Sequence, residues 1–391
     1  MKAIVNGKLI IPDEQGNFQV EDNKVVVFDQ VIREIITGEE YERRGRESFD
    51  EVYCAQGQYV APGFINIHIH GCAGADTMDC REESLRKMAL FQGTTGVTSM
   101  LPTTMTYDMP RIYESLQAVR KAMSHREGAR ILGANMEGPF ISESHKGAQK
   151  ASHIRTADFG LIQEYSDIIK LITIAPEELP TDSEFIPRCR EAGIRVALGH
   201  TAADYDCAIN AINNQGATHI THLFNAMTGL HHRHPGVVGA ALDSHAFCEL
   251  ITDNLHVAPG AQRIVHRVKG KEGTVLITDS MRACGLGDGE SELGDQRVFV
   301  KGAKALLADG IIAGSVLTMD RGIYNYAQNV HIPVWQAVEC ATIVPARAIG
   351  VDAELGSIQV GKQADFAVFD VFDGRLNITI TIRAGNIIYL K

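Results

Sequence analysis

Eight apolar, strand-like runs in the middle of the chain constrain its fold more than any other feature. They alternate with segments of helical periodicity, such as REESLRKMALFQG and MPRIYESLQAVRKAMSHR. This alternation predicts βα units and a parallel sheet. Eight such units close a (β/α)8 TIM-type barrel, so the predicted fold class is α/β. In chain order the runs are GFINIHIHG, GVTSMLPT, ARILGANMEGPF, IIKLITIAPE, RVALGHT, THITHLFNAM, FCELITDNLHV and TVLITDSM.

The two ends of the chain have a different pattern. Short β-like runs separated by turn residues fill the first 60 residues, as in KVVVFDQVIREIIT, and return at the end, as in NITITIRAGNIIYL. We expect residues 1–60 and 351–391 to pair into one small β-sandwich domain beside a catalytic barrel of residues 61–350. The glycine-punctuated stretch GESELGDQRVFVKGAKALLADGIIAGS predicts a strand-like excursion near the barrel mouth.

Composition disfavours several classes of function. The chain has 391 residues, 45% of them hydrophobic, and a formal net charge of -11, which argues against nucleic acid or an anionic membrane as the main partner. No apolar run approaches the ~20 residues of a membrane span, and the N-terminal MKAIVNGKLIIP alternates like a strand, so we expect a cytoplasmic protein without a signal peptide. The eight cysteines include no C-x-x-C pair, which indicates reduced thiols.

Potential metal ligands lie at the carboxyl ends of the runs. His68 and His70 are two residues apart in the first run, so both project to the same side of a strand. Alone, this pair is equally consistent with two hydrogen-bonded histidines inside a barrel. A barrel brings the carboxyl ends of its strands into one ring, so further ligands there favour a metal site. The other runs end in such candidates, namely Glu137, His200, His222, His256 and Asp279.

Imidazole and carboxylate ligands with one open position suit a hydrolytic divalent metal, for which zinc and iron(II) are the natural candidates. Asp279 is placed to take a proton from the attacking water and pass it on, although it could instead be a further ligand or a helix cap. His219 has the opposite parity to His222 and is predicted to face away from the barrel interior.

Several motifs together resemble one enzyme family. PGFINIHIHG, EGPF, LGHT, THLFNAM, LITDNLHV and TDSM resemble the N-acetylglucosamine-6-phosphate deacetylases of the amidohydrolase superfamily, over about residue 50 to the C-terminus. EGPF with HLFNAM is the most specific part, whereas GSIQVGKQADF alone indicates only the superfamily. The resemblance implies hydrolysis of N-acetylglucosamine 6-phosphate to glucosamine 6-phosphate and acetate. It also implies one or two divalent metal ions per subunit and a homodimer.

The resemblance also implies residue roles. Glu137, His200 and His222 would hold the principal metal, with Glu137 standing where many superfamily relatives use a modified lysine. His68 and His70 would bind a second metal, which some members of the family lack. The implied substrate contacts are Asn225 and Ala226 at the sugar phosphate, Arg233 as its charged clamp, His256 at the acetyl carbonyl, and the loop Ala313, Gly314 and Ser315 along the sugar pocket. Relatives are commonly dimers in which the clamp reaches across the interface, and whether Arg233 does so stays open.

Other interpretations remain open at this stage. The same chemistry could act on N-acetylgalactosamine 6-phosphate, and Asn254, which replaces the glycine usual in the family, leaves the preferred sugar open. A cyclic-amide hydrolase is a second alternative, against which the glutamate at position 137 and the phosphate clamp both count. A catalytically inactive binding homologue would be expected to have lost several ligands, whereas here the set is complete. Arg233 could also lie in a solvated loop, paired with a surface carboxylate.

Overall fold

The structure is a computed structural model, which describes residues 1–180 and 182–391. Its strands are β1 (Lys2–Pro12), β2 (Phe18–Phe28), β3 (Ile32–Thr37), β4 (Glu51–Cys54), β5 (Tyr59–Pro62), β6 (Phe64–Ile69), β7 (Gly71–Cys72), β8 (Ala75–Asp76), β9 (Val97–Pro102), β10 (Arg130–Ile131), β11 (Ala134–Glu137), β12 (Ile169–Ile174), β13 (Arg195–Leu198), β14 (His219–Ile220), β15 (Phe247–Ile251), β16 (Thr274–Ile277), β17 (Gly289–Leu293), β18 (Gln296–Lys301), β19 (Lys304–Leu307), β20 (Phe366–Phe372), β21 (Arg375–Arg383) and β22 (Asn386–Leu390). Its α-helices are α1 (Gly38–Arg44), α2 (Glu82–Thr94), α3 (Met109–Ala122), α4 (Phe185–Glu191), α5 (Tyr205–Asn210), α6 (Gly236–Leu242), α7 (Pro259–Lys269), α8 (Met319–Val330), α9 (Val334–Glu339) and α10 (Ile343–Ile349).

Strands from both ends of the chain form one sheet. Its order is β22-β21-β20-β5-β1-β2-β3, and β4 pairs in parallel with β1. β20 joins the two ends because it pairs antiparallel with β5, with Phe366 opposite Pro62. Phe28 and Phe366 pack edge to face in a small core of their own, with ring centroids 5.1 Å apart. The predicted pairing of the chain ends thus occurs in this sheet.

The central strands are parallel, as the βα pattern predicts. β6, β9 and β10 form one sheet, and β11 to β16 follow one another in a second. Every residue of β6 and β9 is buried, which is typical of parallel strands covered on both faces. Isolated bridges join Ile69 to Ser280 and Thr103 to Asn135, so the strand ends of the two sheets meet.

The helices between these strands are capped and packed by residues of their own sequence. In α3, for example, the Asp108 side chain accepts a hydrogen bond from the Arg111 N–H and caps the first turn. Ile112, Leu116 and Val119 of this helix recur at helical spacing and are completely buried. Such packing holds the parallel strands from outside and leaves their carboxyl ends free to carry polar residues. Among the described helices, none has both the length and the apolar character needed to cross a bilayer.

Two of the predicted runs are shorter than their sequence pattern indicates. In THITHLFNAM only His219–Ile220 is a strand, because His222, Phe224 and Ala226 adopt positive φ values that end the extended backbone. In FCELITDNLHV the strand ends at Ile251, so His256 lies on the loop that follows. The stretch after the eighth run forms the antiparallel sheet β17-β18-β19, as expected of a strand-like excursion.

Candidate functional site

One carboxylate and two imidazoles meet at the carboxyl ends of the central strands. Glu137 ends β11, and its Oε1 lies 3.2 Å from His200 Nε2 and 3.1 Å from His222 Nε2. The two Nε2 atoms are themselves 3.1 Å apart. Two ligand atoms that each lie about 2.0–2.2 Å from one tetrahedral ion are separated from each other by only a little more than the distances observed here. These three atoms therefore fit a single divalent cation.

A second group shares Glu137 with the first. His70 Nε2 lies 3.3 Å from Glu137 Oε2 and 3.2 Å from Asp279 Oδ1. His68 Nε2 lies 3.5 Å from Glu137 Oε1 and 3.5 Å from Asp279 Oδ1. His68, His70 and Glu137 form a second set of atoms close enough to hold an ion. The structure therefore brings together all five residues that the sequence predicted as metal ligands, with Asp279 beside them.

The rings of three histidines are oriented so that Nε2 faces the cluster. Nδ1 of His200 lies 3.0 Å from the carbonyl of His145, and Nδ1 of His70 lies 3.3 Å from the carbonyl of Thr103. A carbonyl only accepts, so Nδ1 carries a proton, and in the neutral form of the ring Nε2 presents a lone pair. His68 Nε2 is buried and has no hydrogen-bond partner among the described residues. Lone pairs that face one another and a carboxylate are the donor set of a cation site.

Strained backbone places these side chains. His200, His222 and Asp279 have φ values of 48°, 30° and 47°, in the left-handed region that non-glycine residues rarely adopt. Each follows its strand by a few residues, so the chain turns sharply there and directs the side chain to the strand ends. Gly199 permits the close approach of β13 to its neighbour, because a Cβ there would lie 2.6 Å from the Cβ of Thr221. Such strain concentrates at functional sites.

The charges of the cluster support one another. Burial by itself raises the pKa of Asp279, but His68 and His70 outweigh that effect and lower it to about 2. Burial likewise opposes ionisation of Glu137, yet His200, His222 and His70 hold its pKa well below the usual range. Both carboxylates are therefore ionised at neutral pH and available to a cation or a proton.

Three further polar residues, which no sequence motif indicated, contact side chains of the site. Glu249, completely buried on β15, has its Oε2 2.9 Å from His68 Nδ1 and accepts a hydrogen bond from the His222 N–H at 3.1 Å. Gln149 donates to Glu137 Oε2 at 2.6 Å. Asp253 lies 2.7 Å from Nδ1 of His256, and although burial lowers the pKa of that imidazole, Asp253 raises it overall. A single charged residue within the apolar run FCELI was the only available signal for Glu249.

A cavity of about 430 Å³ opens over the cluster. Its wall includes nine of the residues predicted for the site, namely His70, Glu137, His200, His222, Asn225, Ala226, His256, Asp279 and Gly314. Leu293 at the end of β17 also lines it, together with Ile311 and Ile312 after β19. The predicted excursion thus lies at the cavity mouth, where Gln296 donates to the Ala148 carbonyl at 2.6 Å.

Two residues expected along the sugar pocket lie behind its wall instead. Ala313 and Ser315 are buried and do not line the cavity, whereas Gly314 between them does. The Ser315 hydroxyl donates to the Thr278 carbonyl, and the Ala313 N–H pairs with Ala305. Backbone and hydroxyl contacts with neighbouring segments therefore hold this loop, and only Gly314 is left to meet a ligand.

Arg233 also departs from a simple pocket role. It lies in the exposed turn between His231 and His234 and does not line the cavity. Asn254 does not reach the cavity either, since its Oδ1 accepts hydrogen bonds from Gln262 and Asn329. Asn254 is therefore not part of the cavity wall.

His219 faces away from the cluster, as its parity predicts. Its ring packs beside Phe247, with centroids 5.4 Å apart, and its Nδ1 lies 2.8 Å from the Thr218 hydroxyl. Burial lowers the pKa of His219 to about 3. Only the opposite face of this run therefore reaches the site.

Histidine and carboxylate side chains that meet at the carboxyl ends of parallel strands, under a cavity, define a protein suited to metal-assisted hydrolysis. The model of the amidohydrolase family matches residues 59–388, and the chain belongs to that family.

Known relatives share most of the chain. It is 38% identical over 350 residues to N-acetylglucosamine-6-phosphate deacetylase of Bacillus subtilis, which covers 87% of each chain. It is 35% identical over 319 residues to N-acetylgalactosamine-6-phosphate deacetylase of Escherichia coli O157:H7, covering 80% of this chain and 84% of the relative. The crystal structure of N-acetylglucosamine-6-phosphate deacetylase from Pasteurella multocida matches with a TM-score of 0.90 and 31% identity over 99% of both chains. The family resemblance noted in the sequence is confirmed.

Proposed function

We propose that this chain hydrolyses the acetamide of N-acetylglucosamine 6-phosphate to glucosamine 6-phosphate and acetate. The observation that carries the proposal is the convergence of Glu137, His200 and His222 within 3.2 Å of one another under a cavity that Asp279 and His256 also line. The relatives whose names contain this activity match most of the chain.

The proposed architecture is a closed (β/α)8 barrel of residues 61–350 beside a small β-domain of residues 1–60 and 351–391. Closure is supported where the first and last barrel strands meet, because the Asp279 N–H donates to the His68 carbonyl at 3.0 Å and the His70 N–H donates to the Ser280 carbonyl at 2.9 Å. The Thr104 N–H donates to the Asn135 carbonyl at 2.9 Å at the other junction. Both ends of the six-stranded sheet thereby adjoin the three-stranded one.

The proposed cofactor is a divalent cation, Zn²⁺ or Fe²⁺, with one or two per subunit. Glu137, His200 and His222 would hold the principal ion, and His68 and His70 would share Glu137 with a second. Such an ion supplies Lewis acidity that activates water and polarises a carbonyl. Neutral imidazoles and an ionised carboxylate are the ligand forms that this binding requires.

Asp279 is the proposed proton shuttle. Its lowered pKa keeps it ionised, so it can accept the proton that water loses as its oxygen attacks the acetyl carbon. The same carboxyl then passes the proton to the sugar nitrogen as the C–N bond breaks, which releases acetate and the amine. Asp253 holds Nδ1 of His256 and favours the protonated ring, so Nε2–H can donate to the acetyl oxygen as negative charge develops there.

The sugar phosphate is proposed to lie against Asn225 and Ala226, which line the cavity. In this proposal the chain forms a homodimer, and the partner subunit's Arg233 completes the phosphate site. The exposure of the turn that carries Arg233, and of Leu230 nearby at 60%, supports a surface of this kind. A guanidinium grips phosphate with two parallel hydrogen bonds, which suits an anion in an otherwise acidic protein.

Acetate release from both phosphorylated epimers, with metal content measured on the same sample, tests the proposal. Faster release from the glucosamine epimer is expected. Faster release from N-acetylgalactosamine 6-phosphate would favour the second candidate, which the similarity to the Escherichia coli relative supports. Hydrolysis of a cyclic amide without acetate release from either sugar would contradict both candidates.

A further inference from the structure

The segment after β11 carries a histidine in the cavity wall to which no role has been given. Its path is fixed by His200, because the Ser142 N–H donates to the His200 carbonyl at 2.8 Å and His200 Nδ1 donates to the His145 carbonyl at 3.0 Å. These backbone contacts hold position 145 whatever side chain it carries. His145 is one of the residues that line the cavity, as are Asn225 and Ala226.

A chain of hydrogen bonds orients this imidazole. His145 Nδ1 lies 3.0 Å from Ser144 Oγ, which is 3.1 Å from Ser142 Oγ, which donates to Glu178 Oε1 at 3.1 Å. An ionised carboxylate only accepts, so each hydroxyl in the chain donates toward Glu178 and accepts from the residue before it. The proton of the neutral ring therefore lies on Nδ1, and Nε2 is a hydrogen-bond acceptor.

Three other polar side chains of the cavity wall, outside the metal cluster, already make hydrogen bonds within the protein, and the Nε2 of His256 is assigned above to the acetyl oxygen. Asn225 Nδ2 donates to the His222 carbonyl, Gln149 donates to Glu137, and His256 contacts Asp253. Among the described residues, Nε2 of His145 has no partner. A sugar ring in this cavity brings hydroxyl groups that must find acceptors, since an unpaired buried hydroxyl is unfavourable.

We propose that His145 is a substrate-binding residue whose Nε2 accepts a hydrogen bond from the 3- or 4-hydroxyl of the phosphorylated amino sugar. This inference rests on the proposed function and adds a residue that contacts the sugar ring itself. Gly147, two residues on, supports the placement, because a Cβ there would lie 3.5 Å from His200 Cε1 and 3.9 Å from Ala226 Cβ. The segment thus lies between the metal ligands and the proposed phosphate site, where the sugar ring must be.

Substrates that lack single hydroxyls test this contact. The kcat/KM of wild type and His145→Ala is measured on N-acetylglucosamine 6-phosphate and on its 3-deoxy and 4-deoxy analogues. On the full substrate we expect a loss of about three- to tenfold in the variant, mainly through KM, the usual scale for one hydrogen bond. On the analogue that lacks the contacted hydroxyl, the two proteins should be equally active. If the two proteins are equally active on the 4-deoxy analogue, His145 contacts the 4-hydroxyl and also distinguishes the two epimers.

Controls separate this role from a structural one. His145→Gln keeps an acceptor oxygen and should recover part of the loss, whereas His245→Ala, at an exposed site far along the chain, should change nothing. Metal content should equal that of wild type, because the variant keeps the carbonyl that His200 contacts. The same loss on all three substrates, no loss at all, or a loss of metal would overturn the inference. Absence of deacetylation by the wild type would overturn the proposed function, and this inference with it.

Discussion

Replacing Glu249 by glutamine tests how a buried carboxylate prepares His68 for a metal. The carboxylate oxygen that contacts His68 Nδ1 and the His222 N–H is fully buried, and glutamine can keep both contacts with its amide oxygen while the charge is lost. Hydrogen bonds to a charged group contribute about 1.5–3 kcal/mol, against about 0.5–1.5 kcal/mol for neutral ones. Two weakened contacts of this kind predict a metal affinity roughly tenfold to a hundredfold lower at the His68 and His70 site.

Competition between a proton and the metal for His68 changes the metal affinity of the variant in the opposite direction. Burial lowers the pKa of His68, but Glu249 and Asp279 outweigh it and raise the value to about 9, so a cation must displace a proton below that pH. At pH 7 this displacement costs the wild type roughly 3 kcal/mol, since each pKa unit is worth about 1.4 kcal/mol. Glutamine at position 249 removes the largest contribution that raises this pKa. At pH 7 the reduced competition from the proton therefore nearly offsets the weakened hydrogen bonds. Above pH 9 only the weaker metal binding remains.

The assay is a Zn²⁺ titration of metal-free protein in a competing chelator, at about pH 7 and about pH 9.5. We expect similar affinities of wild type and Glu249→Gln at the lower pH and a tenfold to hundredfold difference at the higher one. Glu272→Gln, an exposed substitution of the same kind, is the matched control, and thermal unfolding checks that both variants are folded. Equal affinities at about pH 9.5, or a ratio independent of pH, would refute the role given to Glu249.

Four other changes test the site and the fold. His200→Ala should remove the principal metal and the activity, and full metal content in that variant would contradict the ligand assignment. Arg233→Ala should raise KM for the phosphorylated sugar roughly ten- to a hundredfold, from a loss of ~1.5 to 3 kcal/mol, and leave activity on the unphosphorylated sugar nearly unchanged; equal losses would mean that Arg233 supports the fold. Asp279→Asn should lower kcat by ~10² to 10⁴ and abolish the acidic limb of the kcat/KM profile while the principal metal is retained, and near wild-type turnover would end the shuttle mechanism. The pKa of His219 falls from 6.5 to about 3 on burial, so the unfolded chain binds the proton first and wild-type stability drops by about 2 kcal/mol between pH 7 and pH 5; urea unfolding of His219→Gln should lack this part of the drop, and an unchanged pH dependence would contradict it.

The central strands and the metal-ligand candidates were predictable because both follow from local rules. Alternating strand and helix patterns predicted a parallel sheet, and the position of a residue near the end of its run predicted which edge it would reach. His68 and His70 share a face because side chains alternate along a strand. The same rule places His219 on the face that points away from the site. Covalent order and backbone geometry determine these properties, so they can be read before any long-range contact is known.

Glu249 shows where local rules stop. Its charge inside an apolar run indicates that something must compensate it, but its partner His68 is 181 residues away in the sequence. No periodicity in either run relates the two positions, and only the closure of the strands brings the side chains to 2.9 Å. The tertiary structure also decided that Glu137 serves both ligand groups, since that depends on the spacing of four strands.

Loops were the least predictable part of the site. Ala313 and Ser315 were expected to line the sugar pocket, and Arg233 to clamp the phosphate, yet of the loop only Gly314 lines the cavity and Arg233 lies outside it. Where a loop residue points depends on hydrogen bonds to distant backbone, such as that of Ser315 to the Thr278 carbonyl. The sequence by itself determined which chemistry the strand ends could carry. Only the tertiary structure decided which loop side chains reach that chemistry, because a loop has no repeating geometry from which a direction could be inferred.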